Sequence, residues 1–175
     1  TSKPSPHQWF ASYFDVYVNK DVQSIYKLEK LALFKDFLML LAARASQVLN
    51  YQSFASDLGV SPNVIKSWLK ILEASGLIYL LRPYYINLGS RVVKTPKVYF
   101  MDMGLLRYLL GTDDKAFLLK GTQAGALFEN FVVSEIVKSY ANKGTEGRLF
   151  YYRTNNGLEV DLLIGQNILI ARVYD

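Results

Sequence analysis

Apolar side chains recur every three or four positions from Trp9 to about Ala74, and again from Gly125 to Val137. That is the period of helices with one buried face. Short continuous apolar runs bounded by Gly, Pro and Asn occupy 77–81, 97–101 and three stretches beyond Leu149, and these predict strands. In chain order the pattern predicts a helix from Trp9 to Leu31 and a more deeply buried helix from Leu31 to Leu49, which carries Leu33, Phe34, Phe37, Leu38, Leu40 and Leu41. A short helix follows from Gln52 to Leu58, and Gly59 breaks it. Ser61 followed by Pro62 is an N-cap with proline at the first helical position, and Gly76 supplies a left-handed stop. Two strands, Leu77–Leu81 and Lys97–Met101, then flank an irregular loop. A short helix follows from Gly104 to Leu110, and from Gly125 come a long helix and three strands at Leu149–Arg153, Leu158–Ile164 and Ile168–Val173.

The expected fold class is therefore mixed α+β: a helical winged helix-turn-helix followed by a small α/β unit. The expected divisions are a helical segment at 1–48, the winged helix-turn-helix at 49–111, a linker at 112–124 around Asp113 and Asp114, and the α/β unit at 125–175. With 51% hydrophobic and 14% aromatic residues, the chain has enough apolar material for packed cores. Charged residues such as Lys30, Lys35, Asp36 and Arg44 interrupt every apolar stretch before it reaches the roughly 18 residues of a membrane span. No secretory leader is visible at Thr1, and the start reads as that of a fragment. Cysteine is absent, which removes disulfides, thiolate chemistry and sulfur-ligated zinc, and points to a cytoplasmic protein. A single histidine, His7, leaves little for imidazole catalysis and reads as a solvated tail residue.

The net charge of +5 is concentrated. Between Asn50 and Phe100, the cations Lys66, Lys70, Arg82, Arg91, Lys94 and Lys97 face only Asp57 and Glu73. In the helix that starts at Pro62, Val64, Ile65, Trp68, Leu69, Ile71 and Leu72 form the inner side. Asn63, Lys66, Ser67 and Lys70 recur at i, i+3, i+4 and i+7 and share the opposite face. Asn and Ser can hydrogen-bond base edges or phosphates, and the lysines can neutralise phosphates, so the expected partner is DNA. Arg82, Arg91 and Lys94 would add backbone contacts from a β-hairpin wing, in which Tyr84, Tyr85 and Ile86 serve packing. The competing reading is a protein-docking or self-association module in which the same lysines are only a solvated face.

The run Leu77-Ile78-Tyr79-Leu80-Leu81-Arg82-Pro83-Tyr84-Tyr85-Ile86-Asn87, continued by Arg91-Val92-Val93-Lys94-Thr95-Pro96-Lys97-Val98-Tyr99-Phe100-Met101-Asp102-Met103-Gly104-Leu105, resembles the C-terminal region of a large, mostly uncharacterised family of prokaryotic AAA+-type ATPases. Tyr17-Val18-Asn19-Lys20-Asp21, Gly125-Ala126-Leu127-Phe128-Glu129-Asn130-Phe131 and Tyr152-Arg153 with Gly157-Leu158-Glu159-Val160-Asp161 agree with it, so the resemblance covers nearly the whole chain. It implies a preceding P-loop ATPase domain that binds ATP and Mg²⁺, then a winged helix, then a fold like that of restriction endonucleases. None of the eleven glycines here opens a Gly-x-x-x-x-Gly-Lys-Ser/Thr loop, so no ATP site is expected within this sequence. Lys20 stands where the family shows an arginine.

Nucleases of that type combine a helix glutamate, a strand aspartate and a Glu-x-Lys on the next strand, which hold Mg²⁺ and steady the attacking species. The resemblance maps Glu129 onto the helix acid and Asp161 onto the strand acid, the candidate metal ligands and vestigial catalytic residues. The third element should fall at Ile170-Ala171-Arg172-Val173, where both key side chains are missing, and Arg172 points to the wrong face of the strand. The expectation is a degenerate fold that binds without cleaving; a metal-dependent DNA nuclease is the alternative. Without a metal, Glu129 reads as a helix-surface or linker-facing acid and Asp161 as a turn-side partner of Arg153.

Overall fold

In the computed structural model, which describes residues 5–18, 31–84, 95–112, 121–154, 158–165 and 169–171, the chain is α+β. Its elements in order are α1 (Pro6–Val16), α2 (Leu31–Ala42), α3 (Tyr51–Leu58), α4 (Pro62–Ala74), β1 (Ile78–Pro83), β2 (Lys97–Phe100), α5 (Met103–Leu109), α6 (Ala124–Asn142), β3 (Leu149–Arg153), β4 (Glu159–Ile164) and β5 (Leu169–Ala171). They form two compact units that interleave along the chain. The first comprises 1–44, 51–77 and 102–114; the second comprises 45–50, 78–101 and 115–175.

The first unit is helical. Phe34, Phe37, Leu38 and Leu41 of α2, Phe54 of α3, and Ile65, Trp68 and Leu72 of α4 are buried in it. Phe37 packs its ring against Phe54 at 5.6 Å and against Trp68 at 5.4 Å between centroids. Arg44 holds α3 to this core: its guanidinium lies 4.5 Å from the Phe54 ring centroid, donates to Ser53 Oγ at 3.1 Å and meets Asp57 at 2.6 Å. The α3–α4 turn is closed by Gly59 at φ 63°, followed by extended Ser61 and by Pro62 at the start of the helix. The Ser61 side chain makes no capping hydrogen bond, so the expected cap works through backbone conformation and proline alone. Gly76, at φ 70°, ends α4 as expected, and Leu77 N–H donates to Leu72 C=O beyond it at 3.0 Å.

Helix α2 ends at Ala42, earlier than the apolar pattern suggests. The residues that continued that pattern serve the second unit: Ser46 N–H donates to Val98 C=O, Val98 N–H to Gln47 C=O, and Val48 bridges Lys97. These bonds cover one edge of β2, which lies at the end of the sheet order β2-β1-β3-β4-β5. Asn130 of α6 completes the cover, its Oδ1 accepting from Phe100 N–H at 2.8 Å and its Nδ2 donating to Phe100 C=O at 2.9 Å.

The expected wing hairpin is differently placed. β1 and β2 do pair antiparallel, Ile78 opposite Phe100. However, β1 also pairs in parallel with β3, Arg82 with Phe150 and Pro83 with Tyr151, so the hairpin is part of the second unit's sheet. Side-chain burial explains it: every residue of β2 is buried, as are four of the six in β1, and a two-stranded ribbon standing in water cannot bury both faces. The sheet therefore crosses the expected division between 49–111 and 125–175, and most of the expected linker, 113–120, lies outside the described residues. Leu81, Tyr99, Val133, Leu149, Tyr151 and Leu162 form the core under α6. That helix turns polar Asn130 and Ser134 inward and leaves Phe128 and Phe131 exposed, although both rings belong to its apolar pattern. Among the described residues no helix is long and apolar enough to cross a membrane.

Candidate functional site

In the first unit, Asn63, Lys66, Ser67 and Lys70 of α4 are all exposed, while Ile65, Trp68, Leu69, Ile71 and Leu72 are buried. The polar stripe read from the spacing is real and uncovered, and Lys66 Nζ lies 5.3 Å from the centroid of the Tyr51 ring. Arg82, in the second unit, is exposed. Arg91, Lys94 and Lys20 lie outside the described residues, as do Tyr85 and Ile86. Tyr84 packs on Phe150 at 5.5 Å between centroids, the packing role expected of it. His7 is part of α1 rather than a free tail, 5.2 Å from the ring of Tyr108.

The second unit builds a charge cluster that the sequence reading missed. On β2, Lys97 and Tyr99 are two residues apart and share one face, as do Glu159 and Asp161 on β4. Helix α6 contributes Glu129. Lys97, only 3% exposed, meets Glu159 Oε1 at 2.7 Å, Asp161 Oδ1 at 2.9 Å and Glu129 Oε1 at 3.0 Å. An ammonium has three N–H donors, and these three carboxylates take them. Tyr99 OH donates to the same Glu129 Oε1 at 2.6 Å, and the ring of Tyr151 lies beneath the ammonium, 5.8 Å from Nζ to centroid. Arg153 approaches Glu159 from outside at 3.5 Å.

Glu129 is thus an inward acid rather than a surface one, and Asp161 meets Lys97. Burial pulls the Lys97 ammonium down, but attraction to Glu129 and the bonds to Glu159 and Asp161 outweigh it and hold the group charged above its ordinary value. Burial, then the Glu129 charge, pushes the Tyr99 phenol well above its usual range. For Glu129, burial outweighs the help of Lys97 and Tyr99, and its carboxyl is raised.

The Mg²⁺ that the nuclease resemblance implies does not fit this arrangement. The point toward which the acids converge is held by a cation that is part of the chain, and Glu129 Oε1 already accepts from both Lys97 and Tyr99. Among the described residues no three carboxylate, imidazole or thiol side chains are grouped to hold a metal ion. Of the strand at the expected third element, β5 is described as backbone pairing Ile170 with Leu163, and Arg172 and Val173 lie outside the described residues. One signal could have revealed the cluster: a lysine opening the apolar strand Lys97-Val98-Tyr99-Phe100 needs acids if it is buried.

Residues 124–171 match the family model described as Domain of unknown function (DUF4143). The uncharacterized proteins Mb2031c of Mycobacterium bovis and Rv2008c of Mycobacterium tuberculosis are each 28% identical to the chain over 156 residues, covering 89% of it. The chain spans about a third of the length of these curated relatives, 34% of each. No solved structure matches it. Residues 1–116, more than half of the chain, match the model described as Domain of unknown function (DUF8612), and the chain belongs to that family.

Proposed function

We propose that the chain is the DNA-binding C-terminal region of a P-loop ATPase, contacting DNA through α4, and that its second unit is a nuclease-like fold that does not cleave. The observation that carries this reading is the uncovered stripe Asn63, Lys66, Ser67 and Lys70, two cations and two hydrogen-bonding side chains on one face of the second helix of a helix-turn-helix. The resemblance to ATPase C-terminal regions and the greater length of the mycobacterial relatives support the assignment to a larger ATPase. Binding and hydrolysis of ATP, with its Mg²⁺, belong to that other domain. The test is fluorescence anisotropy with a labelled duplex: the chain binds, and Lys66→Glu with Lys70→Glu abolishes binding while the fold persists. Absence of binding by the unaltered chain would favour a protein-docking or self-association module instead.

A metal-dependent nuclease is the second reading, because Glu159 and Lys97 supply, from other positions, a third acid and a lysine beside Glu129 and Asp161. Under that reading plasmid DNA is nicked in Mg²⁺ or Mn²⁺ and Asp161→Ala abolishes the nicking.

A further inference from the structure

We infer that the Lys97 ammonium is the resident cation of the acid cluster: it takes the place of a divalent ion among Glu129, Glu159 and Asp161, and its charge keeps such an ion out. The inference deepens the reading in which the second unit does not cleave. Three observations lead to it. All three carboxylates direct an oxygen at one atom, Nζ, at 2.7–3.0 Å. Those distances are hydrogen-bonding lengths, longer than the roughly 2.0–2.1 Å of Mg²⁺–O and 2.3–2.6 Å of Ca²⁺–O contacts, so the cage is set for an ammonium. Lys97 is 3% exposed, so the ammonium has little room to withdraw if an ion enters.

Charge completes the case. Three carboxylates and one ammonium leave an excess of two negative charges, which Tyr99 OH and the nearby Arg153 moderate. A divalent ion bound by the same carboxylates would lie within about 5 Å of a fixed positive charge in a mostly buried site, where repulsion is weakly screened. As they stand the three acids form no metal-holding group; with the ammonium removed they can close in on a hard cation through oxygen ligands alone.

The test titrates the full chain with Mn²⁺ alone, by calorimetry and by the thermal unfolding midpoint. The unaltered chain is expected to bind no Mn²⁺ at this site, and Lys97→Met to bind one ion with a dissociation constant of about 10⁻⁴–10⁻³ M, as in weakly caged oxygen sites. The midpoint of Lys97→Met should then rise with Mn²⁺, as ligand binding to the native state requires, and the rise should vanish when Asp161→Asn is added. If Lys97→Met does not fold, Lys97→Gln, which keeps a polar head of similar reach, carries the same titration. One Mn²⁺ bound by the unaltered chain and lost in Asp161→Asn overturns the inference, and so does a folded Lys97 variant that binds none. Plasmid cleavage by the unaltered chain is a separate result, which overturns the non-cleaving reading itself.

Discussion

Replacing Lys97 by methionine keeps the apolar stem, ends one atom short of the ammonium and removes its charge. The structure sets the scale of the effect. Each of the three contacts, at 2.7–3.0 Å, carries about 5–6 kcal/mol of Coulomb attraction at an effective dielectric constant of about 20. Most of that attraction offsets the desolvation of the ammonium and the mutual repulsion of Glu129, Glu159 and Asp161. Without the ammonium the repulsion stays and its compensation is gone, so Lys97→Met should destabilise the chain by about 3–5 kcal/mol at pH 7, the usual cost of breaking a buried pair from one side. Against a total of about 5–15 kcal/mol this is large, so urea unfolding is best followed at about 15 °C, near maximal stability. The deficit has a pH signature. In the variant Glu129, already raised by burial, loses the ammonium that opposes the rise and holds its proton still more tightly when folded, so stability rises as pH falls from 7 towards 5 and the gap to the unaltered chain narrows. A loss below about 1 kcal/mol that is flat across that range would refute the reasoning, since an exposed ion pair behaves so.

Further expectations concern other contacts. In the unaltered chain Lys97 titrates above its ordinary 10.5 when folded, so its contribution is complete below that pH and is lost as pH rises through the higher folded value; Tyr99 acts in the same direction. Alkaline unfolding followed by circular dichroism should therefore begin above about pH 10 and be blunted in Lys97→Met, and equal alkaline slopes for the two proteins would contradict this. Asn130→Ala leaves both the N–H and the C=O of Phe100 without their side-chain partner and should cost about 2–4 kcal/mol in urea unfolding, whereas a solvated edge would cost almost nothing. Gly76→Ala places a Cβ at φ 70° and should cost about 1–2 kcal/mol. Gly104→Ala drives a methyl into the Phe10 ring and should lift α1 from α5, visible as faster amide exchange in α1 with α4 unchanged.

The sequence was most legible where backbone chemistry is local. The Ser61-Pro62 start and Gly76 stop of α4, the break at Gly59 and the exposed face of Asn63, Lys66, Ser67 and Lys70 all follow from capping, φ restriction and helical period, which need no partner element. What a pattern cannot convey is which edge a strand will find. The apolar run at 77–81 predicts a strand equally well for a wing and for the interior of a sheet, and only β3, some seventy residues later, decides between them. Composition assigns a lysine such as Lys97 to water, and its burial depends on three acids from α6 and β4. Phe128 and Phe131 mislead in the opposite sense: they fit the apolar period of α6 but are exposed, because Asn130 and Ser134 take the inner face.

The central claim, that α4 meets DNA through its polar stripe, is tested most directly by the dependence of affinity on salt. For the unaltered chain the logarithm of the binding constant for a short duplex should fall linearly with the logarithm of salt concentration, each phosphate contact contributing about 0.9 to the slope. Lys66→Gln with Lys70→Gln, which removes two charges without introducing repulsion, should flatten that slope by about 1.8. A slope identical in the two proteins, or no measurable binding by the unaltered chain at low salt, would contradict the account.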